Sequence, residues 1–294
     1  MKLYKLEKGI ALIQVLVIVG ILSTLALYLS TTARSQIHIS QWASDRTDAL
    51  IHLHSAESEL LFNLLTKKKE KNFSEENLIV RDWNFHAEPF RIGDNVQVKM
   101  QDQSALINAH FPNIELMNKL LTFHGASPSE AQQIVSTLLD WQDLDNIPRP
   151  NGREASNENL AIRNGALPDL SDIYLLPQVK PEYQELLVRN STLLGRGIFN
   201  PMNSPQELLY ALAPKSVVQQ IVQLRKENRL SAKTFSGLTG INEGESVLLY
   251  PSNMLSIELQ ARVNESLARK RILFELVPHA DEHQTPIIKY AISD

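Results

Sequence analysis

KGIALIQVLVIVGILSTLALYLSTTAR, residues 8–34, is the stretch on which the fold turns. Between Lys8 and Arg34 lie 25 residues without a charge, and Ile10 to Leu29 is almost wholly apolar, with Gln14, Ser23, Thr24 and Tyr28 as its polar members. A helix rises about 1.5 Å per residue, so twenty residues cross the roughly 30 Å hydrocarbon core of a bilayer. Ser and Thr bond back to their own helix, and Tyr28 stands where an interfacial aromatic belongs. Lys2, Lys5 and Lys8 precede the span against Glu7 alone. That asymmetry holds the N-terminus in the cytoplasm and sends the rest of the chain outward. A secretory signal has an apolar core of about 7–15 residues followed by a small-x-small cleavage site. Here the run is longer, and Ser23-Thr24-Leu25-Ala26 lies inside it. Residues 10–29 therefore read as a retained transmembrane helix.

Outward from the span, residues 21–88 contain neither Gly nor Pro, 68 positions without a helix breaker. The helix is expected to run on to about Lys67, residues 30–67 forming a stalk. Ala49, Leu50, Leu53, Ala56, Leu60, Leu61 and Leu64 recur at three- and four-residue spacing and make an apolar stripe. Asp45, Arg46, Asp48, Glu57 and Glu59 fall on the other faces. Such a stripe serves either a coiled-coil dimer or the protein's own sheet; the strands that follow favour the sheet. Lys67-Lys68-Lys69-Glu70-Lys71 reads as a solvated helix end, its cations favourably placed at the C-terminus. Asn95 to Met100 alternates as a strand, which Asp102 to Asn108 is predicted to continue.

From residue 112 the pattern becomes helical. Segments 113–123, 129–141, 170–176, 205–212 and 215–228 read as short helices, Ser127 or Ser129 capping the second, and Pro201, Pro205 and Pro214 punctuate the later ones. Strand patterning returns at 255–264, 269–276 and 287–292. The prediction is an α+β fold: a transmembrane and stalk helix packed on an antiparallel sheet built from residues 68–111 and 251–294, with a large, mostly helical insertion over 112–250.

Composition narrows the chemistry. The chain has 294 residues, 43% hydrophobic, enough for a sizeable core. Its lack of Cys excludes disulfides, thiolate zinc sites, iron–sulfur clusters and a Cys nucleophile. Gly-x-Ser-x-Gly, His-Glu-x-x-His and Walker-type glycine loops are missing, and the His residues show no ligand spacing, so no catalytic residue, enzyme activity or organic cofactor is expected. Gly237-Leu238-Thr239-Gly240-Ile241 has the look of a helix-hairpin-helix turn. Yet residues 112–250 carry 12 Lys and Arg against 15 Asp and Glu, which reads as a packing turn and no nucleic-acid partner. Asp140, Asp143, Asp145, Asn146, Asn151 and Glu154 gather hard oxygen donors within fifteen residues. The spacing is not an EF-hand, and on the residues alone a solvated loop held by Asx turns is the favoured reading.

Several segments resemble one family. The basic leader of residues 1–9, ending Lys8-Gly9 before Ile10, is similar to a prepilin leader, whose final Gly presents no Cβ to the protease. Pilins place Glu at the fifth mature residue; here that position is Gln14. A carboxylate inside the span is costly unless a neighbouring subunit pairs with it. Its loss resembles the K-type minor pseudopilins of type II secretion. Leu139-Asp140-Trp141 through Pro150-Asn151-Gly152-Arg153-Glu154, Leu167-Pro168-Asp169-Leu170-Ser171-Asp172 and Asn203-Ser204-Pro205 through Leu209 resemble motifs of that family in the same order. The resemblance implies a pilin-like fold and a structural role at the tip of a periplasmic pseudopilus. It further implies cleavage by prepilin peptidase between Gly9 and Ile10, N-methylation of Ile10, I- and J-type minor pseudopilins as partners, and calcium in the helical insertion. It places the protein in the bacterial inner membrane with a single span. A type IV pilus minor pilin and a single-span anchored periplasmic protein are the alternatives.

Overall fold

The computed structural model describes residues 10–70, 76–154, 162–195, 197–281 and 283–293. Helix α1 (Ile10–Thr66) is continuous for 57 residues, about 85 Å. Its first half stands clear of the rest of the molecule, every apolar side chain from Leu12 to Leu29 being open. Its last half does not. Ala49, Leu53, Ala56, Leu60, Leu61 and Leu64 are buried, and they pack with Val98, Met100, Ile257, Leu259, Ile272 and Phe274 into one core. The stripe thus serves the protein's own sheet; Leu50, at its margin, stays 38% exposed.

That sheet has five antiparallel strands in the order β1 (Phe90–Ile92), β2 (Val96–Asp102), β5 (Met254–Val263), β6 (Ser266–Leu276) and β7 (Ile287–Ser293). Period-two alternation puts Val96, Val98 and Met100 under α1 and turns Gln97 and Lys99 outward. A short helix α2 (Leu78–Asp82), capped by the Asn77 side chain, lays Ile79 and Val80 into the same core. Strands β5 and β6 form the hairpin that their alternation predicts, turning at Asn264 with φ 50°.

Strand β2 ends earlier than the sequence suggests. Asp102 accepts the Ser104 amide and starts a 3-10 turn at Gln103–Ala105, which breaks the pleat. Ile107–Asn108 is then β3, paired in parallel with β4 (Ser191–Thr192) apart from the main sheet. Between lie the helices of the insertion. Helix α3 (Ile114–Phe123) is capped by Asn113 and α4 (Pro128–Gln142) by Ser127, with Pro128 at its first turn. A 3-10 turn at Leu170–Leu175 and α5 (Pro181–Asn190) complete a first core around Met117, Leu120, Leu121, Leu138 and Leu187. Helices α6 (Gln206–Leu212), α7 (Lys215–Lys226) and α8 (Ala232–Thr239) close a smaller one around Leu209, Val218, Ile221 and Phe235. Gly237 lies within α8, and Gly240 caps it at φ 76°, so the stretch read as a packing turn is a helix C-terminus.

Candidate functional site

The acidic loop after α4 folds back on the helix that precedes it. Asp140, in the last turn of α4, and Glu154 are both wholly buried; Asp143 is partly so. One carboxylate oxygen from each lies within 4.8 Å of the others. Three carboxylates at that separation repel strongly, and Arg149 answers part of the charge: its Nη1 donates to Asp140 Oδ1 at 2.7 Å and to Asp143 Oδ2. Asp140 also accepts the Arg149 amide. Hydrogen bonds to both carboxylates raise the Arg149 pKa above its ordinary value, so it stays cationic. The loop passes so close that a Cβ on Gly152 would stand 1.8 Å from Asp140 Oδ2.

The residues present fit a hard divalent cation. Asp143 Oδ1 is buried with no hydrogen-bond partner among the described residues, beside two wholly buried carboxyl groups. All three donors are carboxylate oxygen, the ligand type of calcium and magnesium. Asp140, Asp143 and Glu154 would hold such an ion, which would relieve the repulsion that Arg149 offsets only in part. The other three predicted donors are placed differently. Exposed Asp145 accepts the Ile147 amide, Asn146 Oδ1 accepts Asn164 Nδ2, and Asn151 holds a left-handed turn at φ 65°. Arg149, which is not among the predicted donors, bonds two of the three carboxylates.

A second buried carboxylate ties the two halves of the molecule together. Asp102, fully buried at the end of β2, accepts Ser104 Oγ at 2.8 Å, Asn200 Nδ2 at 2.8 Å, and Ser252 through both Oγ at 2.6 Å and its amide at 3.1 Å. Lys69, just beyond α1, donates to Ser252 O and Asn253 Oδ1. Burial pushes the Lys69 ammonium down to about 8, with Asp102 pulling the other way. The end of the stalk, the sheet and both ends of the insertion therefore meet at one hydrogen-bonded knot.

Two of the charges predicted to face solvent on α1 are buried against the sheet. Glu57 receives Lys270 Nζ at 2.6 Å and Lys289 Nζ at 3.0 Å. Burial pushes its carboxyl up, and the two ammonium groups outweigh that and leave its pKa below the ordinary value. Asp45 accepts Asn264 at the β-hairpin turn, and neighbouring Arg46 bonds the Leu267 carbonyl. Among the polar residues that remain open on the stalk stand large apolar ones: Ile37, Ile39, Trp42, Ile51 and Phe62 are each more than half exposed. Gln14 is exposed within the apolar span; Gly9 lies outside the described residues, and Ile10 begins α1.

The type II secretion system protein K family model matches residues 96–196. The type II secretion system protein K of Klebsiella pneumoniae is 23% identical over 255 residues, covering 80% of this chain and 78% of that protein. The fold is similar to a chain in the crystal structure of the GspK–GspI–GspJ complex from the enterotoxigenic Escherichia coli type 2 secretion system. There the TM-score is 0.56 at 16% identity, over 86% of this chain and 98% of the other.

Proposed function

We infer, from the premise that this chain belongs to the type II secretion system protein K family, that it is a structural minor pseudopilin seated at the tip of a periplasmic pseudopilus. The observation that carries this reading is the union of one continuous 57-residue helix with a helical insertion too bulky to stack in a shaft. The apolar first half of α1 anchors the chain in the inner membrane, and about 16 further residues lift Asp45 and the sheet some 24 Å above Leu29. Its basic N-terminal flank faces the cytoplasm. Prepilin peptidase cleaves after Gly9, Ile10 becomes the methylated mature N-terminus, and Gln14 removes the demand for a subunit above. No step of chemistry is assigned to the chain; its work is to present surfaces.

Ile37, Ile51 and Phe62, each more than half exposed and on one side of α1 by helical spacing, are the surface for I- and J-type minor pseudopilins. Calcium at Asp140, Asp143 and Glu154 stiffens the loop that closes the first helical core. The test is co-purification of the full chain with I- and J-type subunits, with intact mass measured alongside. The expected result is a stable ternary complex containing a chain that has lost residues 1–9. Charge placed in that surface, as in Phe62→Glu, dissolves the complex without preventing the loss of residues 1–9. An unprocessed chain that binds neither subunit would leave a solitary anchored protein instead.

A further inference from the structure

We propose that Arg149 is a resident stand-in for a divalent cation, its guanidinium bridging Asp140 and Asp143 until calcium displaces it. The proposal rests on the reading of Asp140, Asp143 and Glu154 as a calcium site, and adds what that site must first give up. A single nitrogen, Arg149 Nη1, donates to Asp140 Oδ1 at 2.7 Å and also to Asp143 Oδ2. It therefore bridges two carboxylates of the three-residue cluster, as a ligated metal ion would. Ion and guanidinium cannot share that place, because two cations between the same two oxygens would meet at contact distance. Arginine keeps its proton at any working pH, so the bridge is exchanged for another cation rather than neutralised.

The loop lets the side chain leave while the backbone stays. Arg149 is held through its main chain as well as its side chain, and the two attachments are separable. Its amide N–H reaches Asp140 at 3.3 Å from Oδ1 and 3.2 Å from Oδ2, which keeps that carboxylate in place when the guanidinium swings away. Pro148 and Pro150 flank it. Proline fixes its own φ and restricts the residue before it to extended backbone, so the main chain here is stiff. The side chain of Arg149 keeps 39% of its surface exposed, against none for Asp140 and 20% for Asp143, so the bridge has room to open toward solvent. Its departure frees Asp140 Oδ1 from its shortest bond and leaves both oxygens of Asp143 for the ion, since Asp143 Oδ1 has no hydrogen-bond partner among the described residues. One positive charge answers three carboxylates only in part; a divalent ion answers more, which gives the exchange its direction. The cluster is thus assembled before metal arrives, and its apparent affinity is lowered by the fraction of molecules in which the bridge is closed.

The experiment uses the full chain in detergent micelles, with calcium chloride as the probe. Arg149→Met keeps the stem of the side chain without its charge. By titration calorimetry it is expected to bind calcium about tenfold more tightly than the native chain. Without calcium it melts lower than the native chain, and saturating calcium narrows that gap. Loss of a neighbouring like charge would by itself tighten binding, so the exchange is also read directly. Phenylglyoxal reacts with free guanidinium, and its rate at Arg149 of the native chain, followed by mass spectrometry, should rise several-fold with saturating calcium. If Arg149→Met fails to fold, that rate decides alone. An affinity equal or weaker in Arg149→Met, or a labelling rate unmoved by calcium, would overturn the exchange and leave the calcium site standing. Calcium bound by neither chain below about 10 mM would overturn the site and the exchange together.

Discussion

Gly152 concentrates the demands of the acidic loop in one position. A methyl group there meets Asp140 Oδ2 at 1.8 Å, inside any permitted contact, and Asp140 is held from both sides by Arg149. Gly152→Ala must move either the loop or the carboxylate, at a cost of about 1–3 kcal/mol. If calcium binds, it stabilises the folded state by mass action, about 2.7 kcal/mol at a hundredfold excess over Kd. The expected melting curves show a calcium-dependent rise for the native chain, greater than that with magnesium. The rise is at least halved in Gly152→Ala and in Asp143→Asn. A curve indifferent to both ions would leave a carboxylate cluster with no metal role. The sequence displayed the donors but not their selection. Asp140, Asp143 and Glu154 converge because the loop doubles back, whereas Asp145 spends an oxygen on the Ile147 amide and Asn146 accepts the Asn164 side chain, and spacing looks the same for both groups.

At the scale of elements, the stalk and its sheet form a pair clamped by charge as well as by apolar packing. Glu57 lies under two ammonium groups, and Lys270 keeps only 12% of its side-chain surface exposed. Since the folded pKa of Glu57 is below its unfolded value of about 4.3, its stabilising contribution is complete above that pH. It fades as pH falls through the folded value. Glu57→Gln leaves Lys270 buried beside a neutral amide and is expected to cost about 1–3 kcal/mol in urea unfolding at pH 7. The gap between variant and native chain should narrow as the pH falls below the unfolded value; a gap independent of pH would mean that packing, not charge, holds the helix. The apolar stripe was legible because periodicity records which face avoids water. Asp45 and Glu57 were misplaced because periodicity cannot see Asn264 or Lys270, which arrive from more than 200 residues away. The break after Asp102 was hidden likewise: its alternating neighbours look like more strand until Ser104, Asn200 and Ser252 claim the carboxylate.

For the whole molecule, a slender helix carrying a broad head predicts a position. Gold-labelled antibody against the helical insertion should mark one end of assembled filaments; decoration along the shaft would reject the tip assignment. The same architecture also sets an order of manufacture. Strands β2 and β5 are neighbours in the sheet, yet Asp102 and the Ser252 that it binds are separated by 150 residues. A chain threaded outward from its N-terminus delivers the stalk stripe first and the hairpin that covers it last. The helical insertion, rich in local contacts, has time to form while β2 waits, and its compact shape brings the two ends of a long loop together. Until the final forty residues emerge, the apolar flank of α1 lacks the cover of β5 and β6. The period of greatest exposure to aggregation and proteolysis therefore falls in the last moments of synthesis, and a truncation of β6 and β7 spoils a stalk that was made two hundred residues earlier.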